Sequence, residues 1–309
     1  MAEIPAELKD RPFTRAEARA AGLTPRMLEH SRFRGLFRGV YTLASVELTR
    51  WHWWQAAVLA GPADAVVSHA SAQQVYGPRL TWEDDRVHLS TRRNAVCRDQ
   101  RIRVHRRKHS IASRIIDGLP VTSPARTFVD CALSLTFVQL VVFGDWLIHH
   151  GHVTFDELLE YCHDRHFDGV VAARRAMEFL VEDARSPMET LVRLMLVLAG
   201  LPHPAVNAVV FDDEGRKVAT VDLSYARFKV AVEYDGRWHE LSADERRWLR
   251  DRRERLEQLG WTVITIYDTD LPAPALLATR VHDALVRGGH RGPRPRFTSA
   301  WHATFRARL

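Results

Sequence analysis

In the last third of the chain the apolar positions switch between two periods. Residues 186–199 repeat them at helical spacing, through Leu191, Leu194, Met195 and Leu198. Residues 206–211 and 218–223 read as strands flanking the turn Asp212-Asp213-Glu214-Gly215, and residues 228–234 as a third strand. Residues 242–259 form a strongly charged helix ended by Gly260. Residues 261–267 form a fourth strand, where Val263, Thr265 and Tyr267 alternate with Thr262, Ile264 and Ile266. The order helix, three strands, helix, strand predicts an α/β domain with a mixed central sheet flanked by helices.

Upstream the pattern predicts an α+β region. Thr14 caps a helix stopped by Gly22, and Thr24 with Pro25 opens a second that runs to about His30. Residues 34–43, punctuated by Gly35 and Gly39, read as a short β-wing. Two short helices at a sharp turn, then a basic wing, predict a winged helix-turn-helix that contacts DNA through Arg26, Arg34 and Arg38, with His30 and Arg32 nearby. The alternative is a small helical hairpin with solvated arginines. Residues 47–76 read as two helices whose Trp51, Trp53 and Trp54 belong to a core. Residues 86–90 and 101–107 read as strands within the densest basic tract: from 86 to 114 ten lysines and arginines face one acid, Asp99. This tract is either a solvated edge hairpin or a phosphate-contacting strip. Further helices are expected at 124–133, 137–150, 154–163 and 168–184. His149, His150, His152 and His163 match no standard metal-ligand spacing and read as helix-end histidines. The expected domains are 1–45 (winged helix), 46–184 (middle region), 185–285 (α/β domain) and 286–309 (basic tail).

Composition narrows the function classes. At 309 residues the chain exceeds the size at which single cores stop growing, and 46% hydrophobic with 27% charged residues is an ordinary globular balance. A net charge of +6 favours polyanionic partners without selecting one. Three scattered cysteines, Cys97, Cys131 and Cys162, exclude a disulfide framework and fit a reducing cytoplasm. The first 15 residues lack the apolar stretch of a signal peptide, and the apolar runs at 137–148 and 191–201 are too short for a bilayer, so no membrane partner is expected.

The chemistry concentrates in carboxylates. Glu233 and Asp235 stand two apart in an otherwise apolar strand (Val230, Ala231, Val232), so both point to one face. Asp222 ends the neighbouring strand, and Glu189 lies on the preceding helix. Carboxylates gathered this way repel one another and call for a cation. Mg2+ or Mn2+, held by Asp222 and Glu233, suits an all-oxygen site and can activate water for phosphodiester cleavage. Two of these acids also have a plainer role, Asp222 as a strand-end turn residue and Glu189 as part of a cap. Ser186-Pro187-Met188-Glu189 is a capping box, and a glutamate serving the cap serves a metal poorly. Ser242-Ala243-Asp244-Glu245 repeats that pattern and reads as a cap alone.

Val221-Asp222-Leu223, Val232-Glu233-Tyr234-Asp235-Gly236 with His239, Asp251-Arg252-Arg253 and Leu259-Gly260-Trp261 together resemble the very-short-patch-repair-endonuclease-like domains of the PD-(D/E)XK superfamily. The resemblance covers about residues 186–270 and implies a Mg2+-dependent DNA endonuclease with Glu189, Asp222, Glu233, Asp235 and His239 as catalytic residues. More loosely, Arg34-Gly35 through Tyr41-Thr42-Leu43, and Thr122-Ser123-Pro124-Ala125-Arg126-Thr127, resemble AbiEi-type antitoxins, whose winged helix often precedes such a domain. That likeness implies a repair, phage-defence or toxin–antitoxin setting, with DNA and a cognate toxin or a second copy as partners.

One departure divides the readings. The lysine of the PD-(D/E)XK pattern falls at Asp235, and Lys229 shares the parity of Glu233 but lies about 13 Å away along a strand. His239 is the expected substitute as proton acceptor. Arg252 and Arg255, on the charged helix, are expected to hold phosphate or to pair with the carboxylates. The other reading is a nuclease fold without activity, acting as antitoxin or transcriptional regulator.

Overall fold

A computed structural model describes residues 4–77, 80, 84–95, 97–163, 166, 168–236 and 242–306. The chain divides into two compact units, Met1–Leu133 with Glu160–Val171, and Ser134–Leu159 with Ala172–Leu309. Both are α/β, with three sheets among the described residues. No helix among them is long and apolar enough to cross a membrane.

The first unit opens with β1 (Phe13–Thr14), α1 (Arg15–Ala20), α2 (Pro25–Leu28), β2 (Phe33–Phe37) and β3 (Val40–Leu43), the strands pairing in the order β1-β3-β2. Thr14 and Glu17 form a reciprocal capping box, and the Thr24 side chain accepts from the Met27 amide. Leu8, Phe13, Ala18, Leu23 and Leu28 form the local core. α2 stops at Leu28, short of the expected His30, whose ring Nδ1 accepts from the Arg32 amide in the following turn.

Next come α3 (Arg50–Ala60), β4 (Val66–Val67), α4 (His69–Tyr76), β5 (Val87–Thr91), β6 (Ile102–Arg106), β7 (Ser113–Ile116), β8 (Leu119–Thr122) and α5 (Pro124–Cys131). The strands form a sheet in the order β6-β5-β4-β8-β7. Trp54 is buried and Trp53 packs edge-on against Phe37, the core role expected of the tryptophans. The two strands of the basic tract, β5 and β6, are parallel neighbours and not a hairpin, with β6 at the sheet edge. Acids from elsewhere in the chain answer several of its charges: Asp84 meets Arg86 and Arg103, Asp64 meets Arg93, and Asp130 meets Arg107.

The second unit carries most of α6 (Phe137–His149), α7 (Phe155–His163) and α8 (Val170–Met177), though α7 and α8 straddle the division of the chain. α9 (Pro187–Leu198), β9 (Ala205–Phe211), β10 (Lys217–Tyr225), β11 (Val230–Tyr234), α10 (Ala243–Gln258), β12 (Thr262–Ile266), α11 (Pro274–Arg287) and α12 (Ser299–Arg306) complete it. α8 ends at Met177, well before the expected 184. The sheet order is β12-β11-β10-β9, with β11 and β12 parallel and the other pairs antiparallel, the mixed sheet read from the sequence. The buried ion pair of Arg193 with Asp145, 2.7 Å, is shared with the Thr190 hydroxyl and ties α9 to α6. On the sheet, Leu256 of α10 closes a core with Val210, Ala219, Val221, Ala231 and Val263. The stretch after 286 is more than a tail: Trp301 and Phe305 of α12 are buried, and the Trp301 indole donates to the Met195 carbonyl.

Candidate functional site

The paired strands β10 and β11 set the site. Their register matches Leu223 with Val232 and Ser224 with Ala231. Continued by one position, it sets Asp222 directly across from Glu233, where neighbouring side chains share a face. Asp222 sits within β10, which runs on to Tyr225, and does not end it as the sequence reading has it. One Asp222 oxygen accepts from the Tyr234 amide at 2.9 Å. Burial raises its carboxyl to about 6. The Tyr234 amide opposes that rise, while the charges of Glu189 and Glu233 add to it. Three of the expected acids therefore lie within electrostatic reach of one another.

Glu189 divides its service. The Ser186 side chain accepts from the Glu189 amide, and Glu189 Oε2 accepts from the Arg185 amide at 3.0 Å and from Asn207 Nδ2 at 2.7 Å. The glutamate returns its bond one residue ahead of the box position, which leaves a cap together with an acid beside Asp222. Asn207, at a left-handed φ of 48°, is part of this arrangement and carries no mark in the sequence pattern.

Glu233 is held by Arg252. The guanidinium grips both carboxylate oxygens, at 3.0 and 2.6 Å, and donates to the Thr220 carbonyl as well. Both side chains are mostly buried, at 11% and 16% exposed. Of the two roles expected for Arg252, pairing with a carboxylate is the one present; a phosphate role requires that it let go. Arg255 is exposed on α10 and is not among the residues that line the cleft below.

Asp222 and Glu233 line a cleft of about 790 Å3 together with Asp235, Tyr234, Thr265 and Tyr267, and Glu189 is not among its lining residues. Asp235 comes just after β11, and its amide donates to the Ile266 carbonyl at 2.9 Å. Lys217, Arg246, Arg250 and Arg253 make the walls basic, and Trp248, 58% exposed, completes them. Lys229 is elsewhere: it precedes β11 with a left-handed φ of 48°, and its ammonium donates to the Leu259 carbonyl at 2.8 Å. His239, the expected proton acceptor, lies outside the described residues.

The donor set fits a hard divalent cation. It offers only oxygens, Asp222 is buried beside two like charges, and the cation Arg252 sits on Glu233. That guanidinium must move if Glu233 is to serve as a ligand.

In the first unit Arg26, Arg34 and Arg38 are exposed, and Arg34 also donates to the carbonyls of Ala44 and Val46. All three expected DNA contacts thus face solvent, and Arg34 is in addition tied to the backbone. At the end of α6, His150 stacks on Trp146 at 3.7 Å and His149 meets His150 edge-on, as helix-end histidines do.

No family model matches the chain. It is 29% identical over 196 residues to the uncharacterized proteins MT2308 and Rv2248 of Mycobacterium tuberculosis, strains CDC 1551 and H37Rv; the match spans 61% of this chain and 70% of each relative. Among solved structures it is similar to the crystal structure of the RV2827C protein from Mycobacterium tuberculosis, with 14% identity and a TM-score of 0.39, over 66% of this chain and 84% of that one.

Proposed function

We propose that the chain is a DNA-binding nuclease dependent on a divalent cation, with a cleavage centre of the very-short-patch-repair-like, PD-(D/E)XK kind in its second unit. One observation carries this: Asp222 and Glu233 stand opposite each other with Glu189 nearby, and burial and like charge raise the Asp222 carboxyl to about 6. Asp222 and Glu233 would hold Mg2+ or Mn2+, with Asp235 beside them on the cleft wall. When bound, the ion supplies an activated water and charge stabilisation for the leaving oxygen. Lys217, Arg246, Arg250 and Arg253 hold the phosphates along the cleft. For Glu233 to hold an ion, Arg252 would have to release it, and would then be available to a phosphate. His239 is assigned the proton from water. In the first unit, α1, α2 and the β2–β3 wing act as a winged helix-turn-helix of the AbiEi kind, with Arg26 and Arg38 on the DNA backbone.

A second reading has a specific observation in its favour. Arg252 already neutralises Glu233 through two hydrogen bonds, and the position of the motif lysine is Asp235. A chain locked in that state binds DNA without cutting it, as an antitoxin or regulator whose partners are a cognate toxin or a second copy.

Incubation with plasmid, mismatched duplex and single-stranded DNA in Mg2+, Mn2+ or EDTA tests the first reading. Cleavage should need the ion and fall at least about a hundredfold in Asp222→Asn and in Glu233→Gln, with DNA affinity kept within about twofold. Cleavage that survives both substitutions overturns the assignment, and binding without cleavage by the unaltered chain favours the second reading.

A further inference from the structure

Outside the acidic cleft, the first unit gathers three histidines that no sequence spacing connects. His69 opens α4, His88 lies on β5 and His105 on β6, and one ring nitrogen from each lies within 4.8 Å of those of the other two. Parallel pairing sets β5 and β6 side by side, with Ser90 opposite His105, and brings the two imidazoles together. His69 and His88 are buried and His105 is half-buried.

The hydrogen bonds locate the lone pairs of the cluster. Asp84 can only accept, so His88 Nε2, 3.2 Å away, carries the proton and Nδ1 keeps its lone pair. Without an ion His105 Nε2 donates to that Nδ1 at 3.3 Å, so ligation requires His105 to carry its proton on Nδ1 instead. An ion bound tetrahedrally at about 2.0–2.1 Å spaces its nitrogen ligands about 3.3–3.4 Å apart, the separation seen here. A ligating histidine characteristically donates its other ring proton to a carboxylate, and Asp84 takes that role for His88. Arg107 can only donate, so His69 Nε2, at 2.8 Å from its guanidinium, also presents a lone pair. His69 holds a left-handed φ of 51° and its ring stacks on His105 at 3.6 Å, so the ring must tilt out of that stack for both nitrogens to meet one ion.

We propose that His69, His88 and His105 form a binding site for a borderline transition-metal ion of the zinc class, with Asp84 orienting His88 and a fourth position left to water. Imidazole ligands select such an ion over Mg2+, so this site is distinct in chemistry from the acidic cleft. Arg107 occupies the His69 lone pair without metal, and keeps Asp130, 2.7 Å away, when the ion takes its place.

The test uses the full chain, titrated with Co2+ and followed by visible absorption, then with Zn2+ in competition. One equivalent should give the intense bands of tetrahedral Co2+, and Zn2+ should abolish them. The joint substitution His88→Gln with His105→Gln should remove the bands. Asp84→Asn, which touches no ligand nitrogen, should weaken binding 10- to 100-fold. Asp222→Asn with Glu233→Gln should leave them unchanged, which separates this site from the proposed nuclease centre. Absence of saturable binding by the unaltered chain overturns the proposal, as does binding that persists in the histidine double variant or is indifferent to Asp84→Asn.

Discussion

Asp222 is the residue on which the acidic cleft turns, and its titration has a direct consequence. Its carboxyl is raised to about 6, so between about pH 4 and 6 the fold holds a proton that an unfolded chain has lost. The stability from this group is full below pH 4 and is lost as pH rises through 6, on the order of 3 kcal/mol. Without divalent ions the chain should therefore melt lower as pH climbs through this window, and Asp222→Asn should flatten that component. Saturating Mg2+ at pH 7 should restore the melting temperature of the unaltered chain and not of the variant. Parallel pH profiles for the two proteins would show that Asp222 is not burdened in this way. Period-two spacing in the strand was enough to bring Glu233 and Asp235 to notice. The Arg252 clamp was legible only as one of two options, because helix position alone does not tell which carboxylate a long side chain reaches. Asn207 was not legible at all, since its role depends on a left-handed backbone and on Glu189 from another element.

At the scale of elements, α10 matters because one helix supplies both a core residue and the arginine of the site. Leu256 is fully buried against the sheet, and Arg252, one turn earlier, grips Glu233. Leu256→Ala should cost about 2–5 kcal/mol of stability and loosen the Arg252–Glu233 pair with it. Chemical denaturation measures the loss, and a change below about 1 kcal/mol would mean that α10 is not docked as described. Long periodic elements such as α9 and β9 to β12 were legible because burial on one face writes itself into sequence. Short ones were not. β4 has two residues, Val66 and Val67, too few to carry a period. The hairpin of β7 and β8 escaped periodicity, although its turn, Asp117-Gly118 with both φ positive, is a recognisable dipeptide. Closeness in sequence favours a hairpin for β5 and β6, whereas the ten residues between them, 92–101, allow a parallel return.

For the whole molecule, the question is how much of a modest charge of +6 is left for the proposed contact with nucleic acid. Much of the basic tract is already paired with Asp64, Asp84, Asp99 and Asp130, so net charge overstates what is free for phosphate. The exposed Arg26 and Arg38 carry the proposed contact of the first unit. Fluorescence anisotropy on duplex DNA at a series of salt concentrations should give a slope in log affinity of about −0.9 per phosphate neutralised. Replacing Arg26 and Arg38 with alanine should make it shallower by about two contacts. An unchanged slope would remove the wing from the interface. The histidine cluster belongs to this scale too: its members come from three elements, 17 and 19 residues apart, and only the folded unit makes them neighbours.

Calorimetric titration of Mg2+ or Mn2+ into the full chain tests the acidic centre most directly. The unaltered protein should bind with an affinity that falls at least about tenfold in Glu233→Gln and rises in Arg252→Gln, where the competing guanidinium is gone. No binding by the unaltered chain, or equal binding by the Glu233→Gln variant, would contradict a cation held between β10 and β11.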